Sequence, residues 1–197
     1  MRGDLKVFYG PMFAGKTSRM IEEVKKYDSF SAVKPNLDDR YSEIDIVSHN
    51  GLKIPANSVP VDEVYDLVKG FDYDELSVVG FDEAQFFEEE VCDAVDYVLE
   101  KGVDVVVAGL DTDFRKEPFG SMPELKEMSD YFEKLYAECE VCGDDAGYTQ
   151  RILDGEPAAY DDPVVVIGAE ESYEPRCDDH HIIGKADEYD ERVLERA

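Results

Sequence analysis

Long apolar runs are missing from this chain. No stretch approaches the ~20 residues that span a bilayer, and the amino-terminal MRGDLKVFYG has no extended apolar core of the secretory-signal kind. The expectation is a soluble, cytoplasmic protein with no membrane partner. Positive charge is scarce too: 20 Lys+Arg stand against 48 Asp+Glu, a formal net charge of -28 over 197 residues. A surface of that sign repels nucleic-acid phosphates, so a nucleic-acid polymer is excluded as a broad partner. Cysteine and histidine are few as well, four and three residues respectively.

What is present is enough for a core. Hydrophobic residues make up 43% and aromatics 11%, which separates this chain from acidic disordered tails. The acids are scattered along its whole length. That distribution suits a protein adapted to a salty cytoplasm, where molar salt shortens the Debye length to ~3 Å or less. Folding is therefore expected to strengthen as KCl rises to molar levels, as read from the thermal midpoint; full stability in dilute buffer would contradict this.

Short apolar runs alternate with amphipathic segments. Strands are expected at 5–9, 30–33, 76–81 and 103–110, and helices at 16–27, 61–68 and 88–99. Cys92, in the last of these helices, is expected to sit as a small core residue. Pro35 is expected to close the second strand, and 36–58 reads as a long polar loop with one alternating piece at 44–47. Strand–helix alternation of this kind predicts an α/β fold: a parallel sheet with helices on both faces. After about residue 136 the texture changes to Gly, Asp and Cys, with short apolar runs at 148–153 and 164–167. This reads as a small β appendage too poor in core to stand without a staple. The expected layout is an ATP-binding α/β domain at 1–135, the appendage at 136–185 and a charged tail at 186–197.

Residues 10–17, GPMFAGKT, fit the pattern G-x-x-x-x-G-K-[ST] between a strand and a helix. The glycines let the backbone curl so that N–H groups face inward, and the helix adds its positive end. Gly10, Pro11, Met12, Phe13, Ala14, Gly15, Lys16 and Thr17 thus form a candidate nucleotide loop. Lys16 would face the β/γ-phosphates and Thr17 a Mg²⁺ ion. A plain Gly-rich turn would leave the Lys-Thr pair at the helix start unexplained. The third strand ends in Asp82 and Glu83. An acid there orders magnesium in P-loop folds, and Asp82 is the natural metal partner. Glu83 is open between two readings, a base for a nucleophile or a helix-start charge.

Cys139-x-x-Cys142 and Cys177-x-x-His180 form two pairs separated by residues 143–176. Four N/S ligands in two knuckles suit a closed, tetrahedral, structural Zn²⁺. A disulfide is disfavoured in a reducing cytoplasm, and His181 competes with His180 for the fourth position.

From DEAQFF at 82–87 onward the motifs, taken in order, resemble the zinc-containing, cellular-type thymidine kinases. GPMFAGKT is similar to that family's P-loop, KPNLDDRY at 34–41 to the start of its lasso loop, and SHNG at 48–51 follows. GLDTDF at 109–114 with Pro118-Phe119, VVVIG at 164–168 and YEPRC at 173–177 complete the resemblance, which spans about 7–181. It implies a RecA-like P-loop sheet and transfer of the ATP γ-phosphoryl group to the 5′-hydroxyl of thymidine. In that reading Glu83 is the base and Arg40 faces the phosphates. Gln85 joins the nucleotide-binding set, and Asp38 lies near metal and nucleoside. The pocket would be lined by Met12, Phe86, Leu110, Phe114, Phe119 and Thr149, with Val164, Val165, Val166, Ile167 and Gly168 as backbone partners and Tyr173 at the sugar. The resemblance also puts a ligand at His180, and it implies a homotetramer and dTTP feedback inhibition. Ala14 departs from the Ser common in relatives, which removes one hydroxyl near the phosphates. The competing classes are a RecA-like ATPase without nucleoside kinase activity, which would normally want a basic face for nucleic acid, and a zinc-stapled module that binds a nucleotide without turnover.

Overall fold

The computed structural model describes residues 1–37, 45–165 and 173–185. Its centre is a six-stranded sheet built from β1 (Leu5–Tyr9), β2 (Phe30–Pro35), β5 (Asn57–Val59), β6 (Val78–Phe81), β7 (Asp104–Gly109) and β8 (Tyr131–Lys134). The order is β5-β2-β6-β7-β1-β8, and every pairing is parallel. Parallel strands need long crossovers; α1 (Lys16–Val24), α2 (Val64–Lys69), α3 (Glu90–Glu100) and α4 (Met122–Met128) supply four of the five, and no helix lies among the described residues between β2 and β5.

The period of two along each strand divides the core between two faces. On one face Leu5, Val7, Val33, Val79, Phe81, Val105 and Val107 pack with Val64 and Val68 of α2, Val91, Val95 and Val98 of α3, and Met122 and Leu125 of α4. On the other, Phe8, Ala32, Val78, Val106 and Ala108 pack with Met20, Ile21 and Val24 of α1. A hairpin of β3 (Asp45–Val47) and β4 (Lys53–Pro55) covers the rest of this second face through Ile46 and Ile54. The expected parallel sheet with helices on both faces is what the chain forms.

Several element boundaries differ from expectation. The first helix stops at Val24 and not near 27, and β2 runs through Pro35. Pro35 is accommodated because it is the strand's last residue and its missing N–H interrupts no later rung. Segment 36–58 is no plain loop, since it holds β3, β4 and β5. Two elements escaped the periodicity. In α4 the sequence MPELKEM places Pro123 early in the helix, where its missing N–H costs nothing. The strand YFEK, β8, is an exposed edge whose apolar residues do not alternate into the core.

Beyond the sheet come β9 (Ala137–Glu138), β10 (Asp145–Ala146), β11 (Tyr148–Leu153), β12 (Glu156–Pro157) and β13 (Tyr173–Arg176). They form a β9–β10 ribbon and a β12-β11-β13 antiparallel sheet. Val164 and Val165 carry no strand. No helix among the described residues is long and apolar enough to cross a membrane.

Candidate nucleoside and nucleotide site

All six parallel strands point their carboxyl ends to one edge, the usual place for a ligand in an open α/β sheet. The loop after β1 and the acids after β6 meet there, with β7 between their strands. Gly10 has φ 144°, and a Cβ on it would lie 2.1 Å from the Leu135 carbonyl oxygen. Only glycine lets the loop leave the sheet so close to that backbone. Gly15, in the left-handed region at φ 79°, caps α1 without a side-chain bond. The first turn of α1 holds no acid, whereas those of α2, α3 and α4 do. In so acidic a chain, that leaves one helix start with its N–H groups and positive dipole end free for an anion.

Lys16 is buried and donates to the Pro11 carbonyl over 2.7 Å. Burial lowers its pKa, while the charges of Glu83, Asp82 and Asp111 act to raise it. Asp82 is buried as well. Desolvation first, and the neighbouring Glu83 second, raise it to about 7, against the bonding of Thr17 and the charge of Lys16. The Thr17 hydroxyl donates to Asp82 Oδ1 over 3.0 Å. Hydroxyl and carboxylate thus converge as two oxygen donors, a donor set that fits Mg²⁺. Glu83 sits in the left-handed region at φ 51° and ψ 40°, an uncommon conformation for a residue with a Cβ and one that clusters at functional sites.

A cavity of about 490 Å³ opens beside these groups, within the usual size of a small-molecule site. Met12, Phe86, Leu110, Phe114, Phe119, Thr149, Val164, Val165 and Tyr173 all line it, together with Phe13, Gly15, Lys16, Thr17 and Glu83. Phe86 and Phe119 meet edge to face with centroids 5.5 Å apart. Burial raises the pKa of the Tyr173 phenol, which keeps it a neutral donor. Gly10, Pro11, Ala14, Asp82 and Gln85 are not part of the lining. Asp38, Arg40, Val166, Ile167 and Gly168 lie outside the described residues.

Sequence reasoning missed Ser18, Leu37, Ser48, His49, Asn50 and Asp113 in the wall. The SHNG motif was a signal for three of them. Asn50 accepts from Ser18 over 2.9 Å and the His49 ring lies tilted against Phe13 with centroids 5.1 Å apart, so this turn packs on the nucleotide loop and the start of α1. Asp113 is buried, and its carboxylate accepts from the Arg115 and Glu117 amides, shaping the turn that presents Phe114.

The appendage reaches the site directly. The Met12 amide donates to Thr149 Oγ1 over 3.0 Å, tying the nucleotide loop to β11. The Arg115 and Arg151 guanidiniums lie near the Phe114 ring, at 5.2 and 5.6 Å, and donate to the consecutive carbonyls of Asp162 and Pro163. Those carbonyls come just before Val164 in the cavity wall.

The ligand atoms of Cys139, Cys142, Cys177 and His180 all lie within 4.8 Å of one another. All the cysteines are free. Cys142 and Cys177 have sulfurs 3.7 Å apart, far from the ~2 Å of a disulfide. Two Zn–S bonds at tetrahedral angles would put them about 3.8 Å apart. Three thiols and an imidazole therefore form a set that fits zinc in both chemistry and spacing. Desolvation acts to raise the Cys139 thiol, but the amides of Cys177, Val141 and Cys142 outweigh it and bring the pKa down to about 6. His180 Nδ1 is 3.2 Å from Cys177 Sγ, while His181 turns away and donates from Nε2 to the Thr149 carbonyl at 3.3 Å. That geometry separates the two histidines. Cys177→Ser is expected to lose bound zinc, measured by atomic emission on the purified protein, while His181→Ala retains it; the reverse pattern would contradict the assignment.

With that geometry described, comparison with known proteins gives a family. The model described as thymidine kinase matches residues 3–181. The match takes in the nucleotide loop, the acid pair, the cavity wall and all four members of the Cys/His cluster, and it extends over most of the 197 residues. This chain belongs to the thymidine kinase family.

Proposed function

We propose that the protein transfers the γ-phosphoryl group of ATP to the 5′-hydroxyl of thymidine, giving dTMP and ADP. The observation that carries this reading is that Glu83 lines one cavity together with Lys16 and Thr17 at its polar side and an aromatic wall at its apolar side. A proton acceptor that shares a cavity with a phosphate-binding lysine and an apolar wall is what transfer to a nucleoside hydroxyl requires.

The roles follow from residue chemistry. Inward N–H groups of the loop and the buried Lys16 hold the phosphates. Thr17 and Asp82 would hold Mg²⁺, which when bound neutralises charge on the phosphate oxygens. The burial that makes the Asp82 carboxylate costly is what a cation would offset. Phe86, Phe114, Phe119, Leu110 and Met12 give thymine a flat apolar slot with room for its methyl group. Glu83 takes the 5′-hydroxyl proton as the new O–P bond forms and the bond to the ADP oxygen breaks. Gln85, expected among the nucleotide contacts, is buried behind the cavity wall and bonds Glu83 and the Leu110 amide.

The remainder of the reading rests on the family resemblance. Arg40 spreads transition-state charge, Asp38 lies near metal and nucleoside, and backbone groups of Val164 to Gly168 read the thymine edge. Residues 1–135 act as the ATP-binding domain, 136–185 as the zinc-stapled appendage carrying the nucleoside lid, and 186–197 as a charged tail. The protein works in the cytoplasm, where free thiols suit zinc, as a homotetramer that dTTP inhibits.

ADP release should depend on added thymidine. Glu83→Gln should bind both substrates and lose turnover by about 100-fold or more. ADP release indifferent to thymidine, or a Glu83→Gln variant at full rate, would contradict the proposal.

A further inference from the structure

We infer that Gln85 is a positioning residue that fixes the carboxylate of Glu83 by one hydrogen bond and is itself fixed by the end of β7; this rests on Glu83 being the base.

Gln85 is 2% exposed. Its Oε1 accepts from the Leu110 amide over 2.9 Å, and its Nε2 donates to Glu83 Oε2 over 2.6 Å. The two bonds determine each other. A backbone N–H can only donate, so the amide oxygen must face Leu110. The amide nitrogen is then left facing Glu83, where it can only donate. A flipped side chain would set N–H against N–H on one side and oxygen against carboxylate on the other. Gln85 therefore conveys the position of β7 to a carboxylate that belongs to the loop after β6.

Two glycines seat this side chain. A Cβ on Gly109 would lie 2.8 Å from Gln85 Oε1 and 2.6 Å from Met122 Sδ. A Cβ on Gly120, which sits at φ 52°, would lie 2.2 Å from the Gln85 carbonyl oxygen. Neither glycine borders the cavity. Their lack of a side chain makes room for Gln85, whose backbone and amide they enclose. Glu83 needs such support because its left-handed backbone conformation is not one a glutamate adopts freely. Its carboxylate is the single group in the proposed transfer that must be aimed at a substrate hydroxyl, and a misplacement of about 1 Å can cost on the order of 100-fold in rate.

Gln85→Glu provides the test, since it preserves shape and the acceptor for Leu110 but replaces the donor with an oxygen facing Glu83. Steady-state kinetics should show kcat reduced by about 10–100-fold. Both KM values should stay within about threefold, because no substrate contact is lost. Gln85→Met, which can make neither bond, should lose kcat to a similar degree. A measurement that leaves Gln85 itself intact covers the case in which a Gln85 variant folds poorly. The Gln85 side-chain amide protons, followed by ¹⁵N–¹H NMR, should shift when Glu83 is changed to Gln. A Gln85→Glu enzyme with wild-type kcat, a rise in KM at unchanged kcat, or amide protons unmoved by Glu83→Gln would each overturn the inference. If Glu83→Gln itself retains full turnover, the reading of Glu83 as base fails instead.

Discussion

The burial of one ammonium group beside two carboxylates is the constraint on which the site depends. Lys16, Asp82 and Glu83 meet at the carboxyl edge of the sheet. Desolvation opposes charge on both Lys16 and Asp82, and their mutual attraction offsets only part of that cost. A cluster held this way gains most from an incoming partner that supplies both charges, a polyphosphate for the lysine and a divalent cation for the carboxylate. The sheet order sets the geometry. With β7 between β1 and β6, the nucleotide loop and the acid pair stand one strand apart, and Leu110, just past the end of β7, lines the same cavity as Lys16 and Glu83.

The net charge of -28 takes on a more definite meaning against this cluster. Among the described residues only Glu23, Asp82 and Asp113 are buried acids. Asp82 belongs to the site, Asp113 shapes the turn under Phe114, and Glu23 is surrounded by Lys6, Arg19 and Lys26. Apart from Glu83 in the cavity wall, the other described acids form an outer shell. That shell repels anions at long range, and salt screens the repulsion. The Lys16 ammonium is sheltered inside and is screened far less. Such an arrangement lets an acidic protein bind a nucleotide without a basic surface.

Much of the site was legible in the sequence, because its chemistry is packed into short motifs. GPMFAGKT needs only its own backbone to make an anion cradle, and Cys139, Cys142, Cys177 and His180 announce a metal through spacing alone. Position in three dimensions was less legible. The motif placed Gln85 near the acids but not its bond to Leu110, a residue 25 positions away across two strands. The strand β8 was hidden because its YFEK sequence lies at an exposed edge, where no core imposes alternation. The segment 45–59 read as a loop because its three strands have only three residues each. The bond from Met12 to Thr149 could not be read at all. It joins the nucleotide loop to the appendage, so the sheet that holds β11 becomes part of the same site.

If the buried Lys16 ammonium and a divalent ion together hold the phosphates inside an acidic shell, nucleotide affinity must depend on both. Calorimetric titration of the protein with ADP in molar KCl, with and without magnesium, tests it most directly. The account predicts binding that needs both magnesium and the ammonium group, so that omitting the ion or changing Lys16 to Met weakens affinity by about tenfold or more. Equal affinity in all three titrations would contradict it.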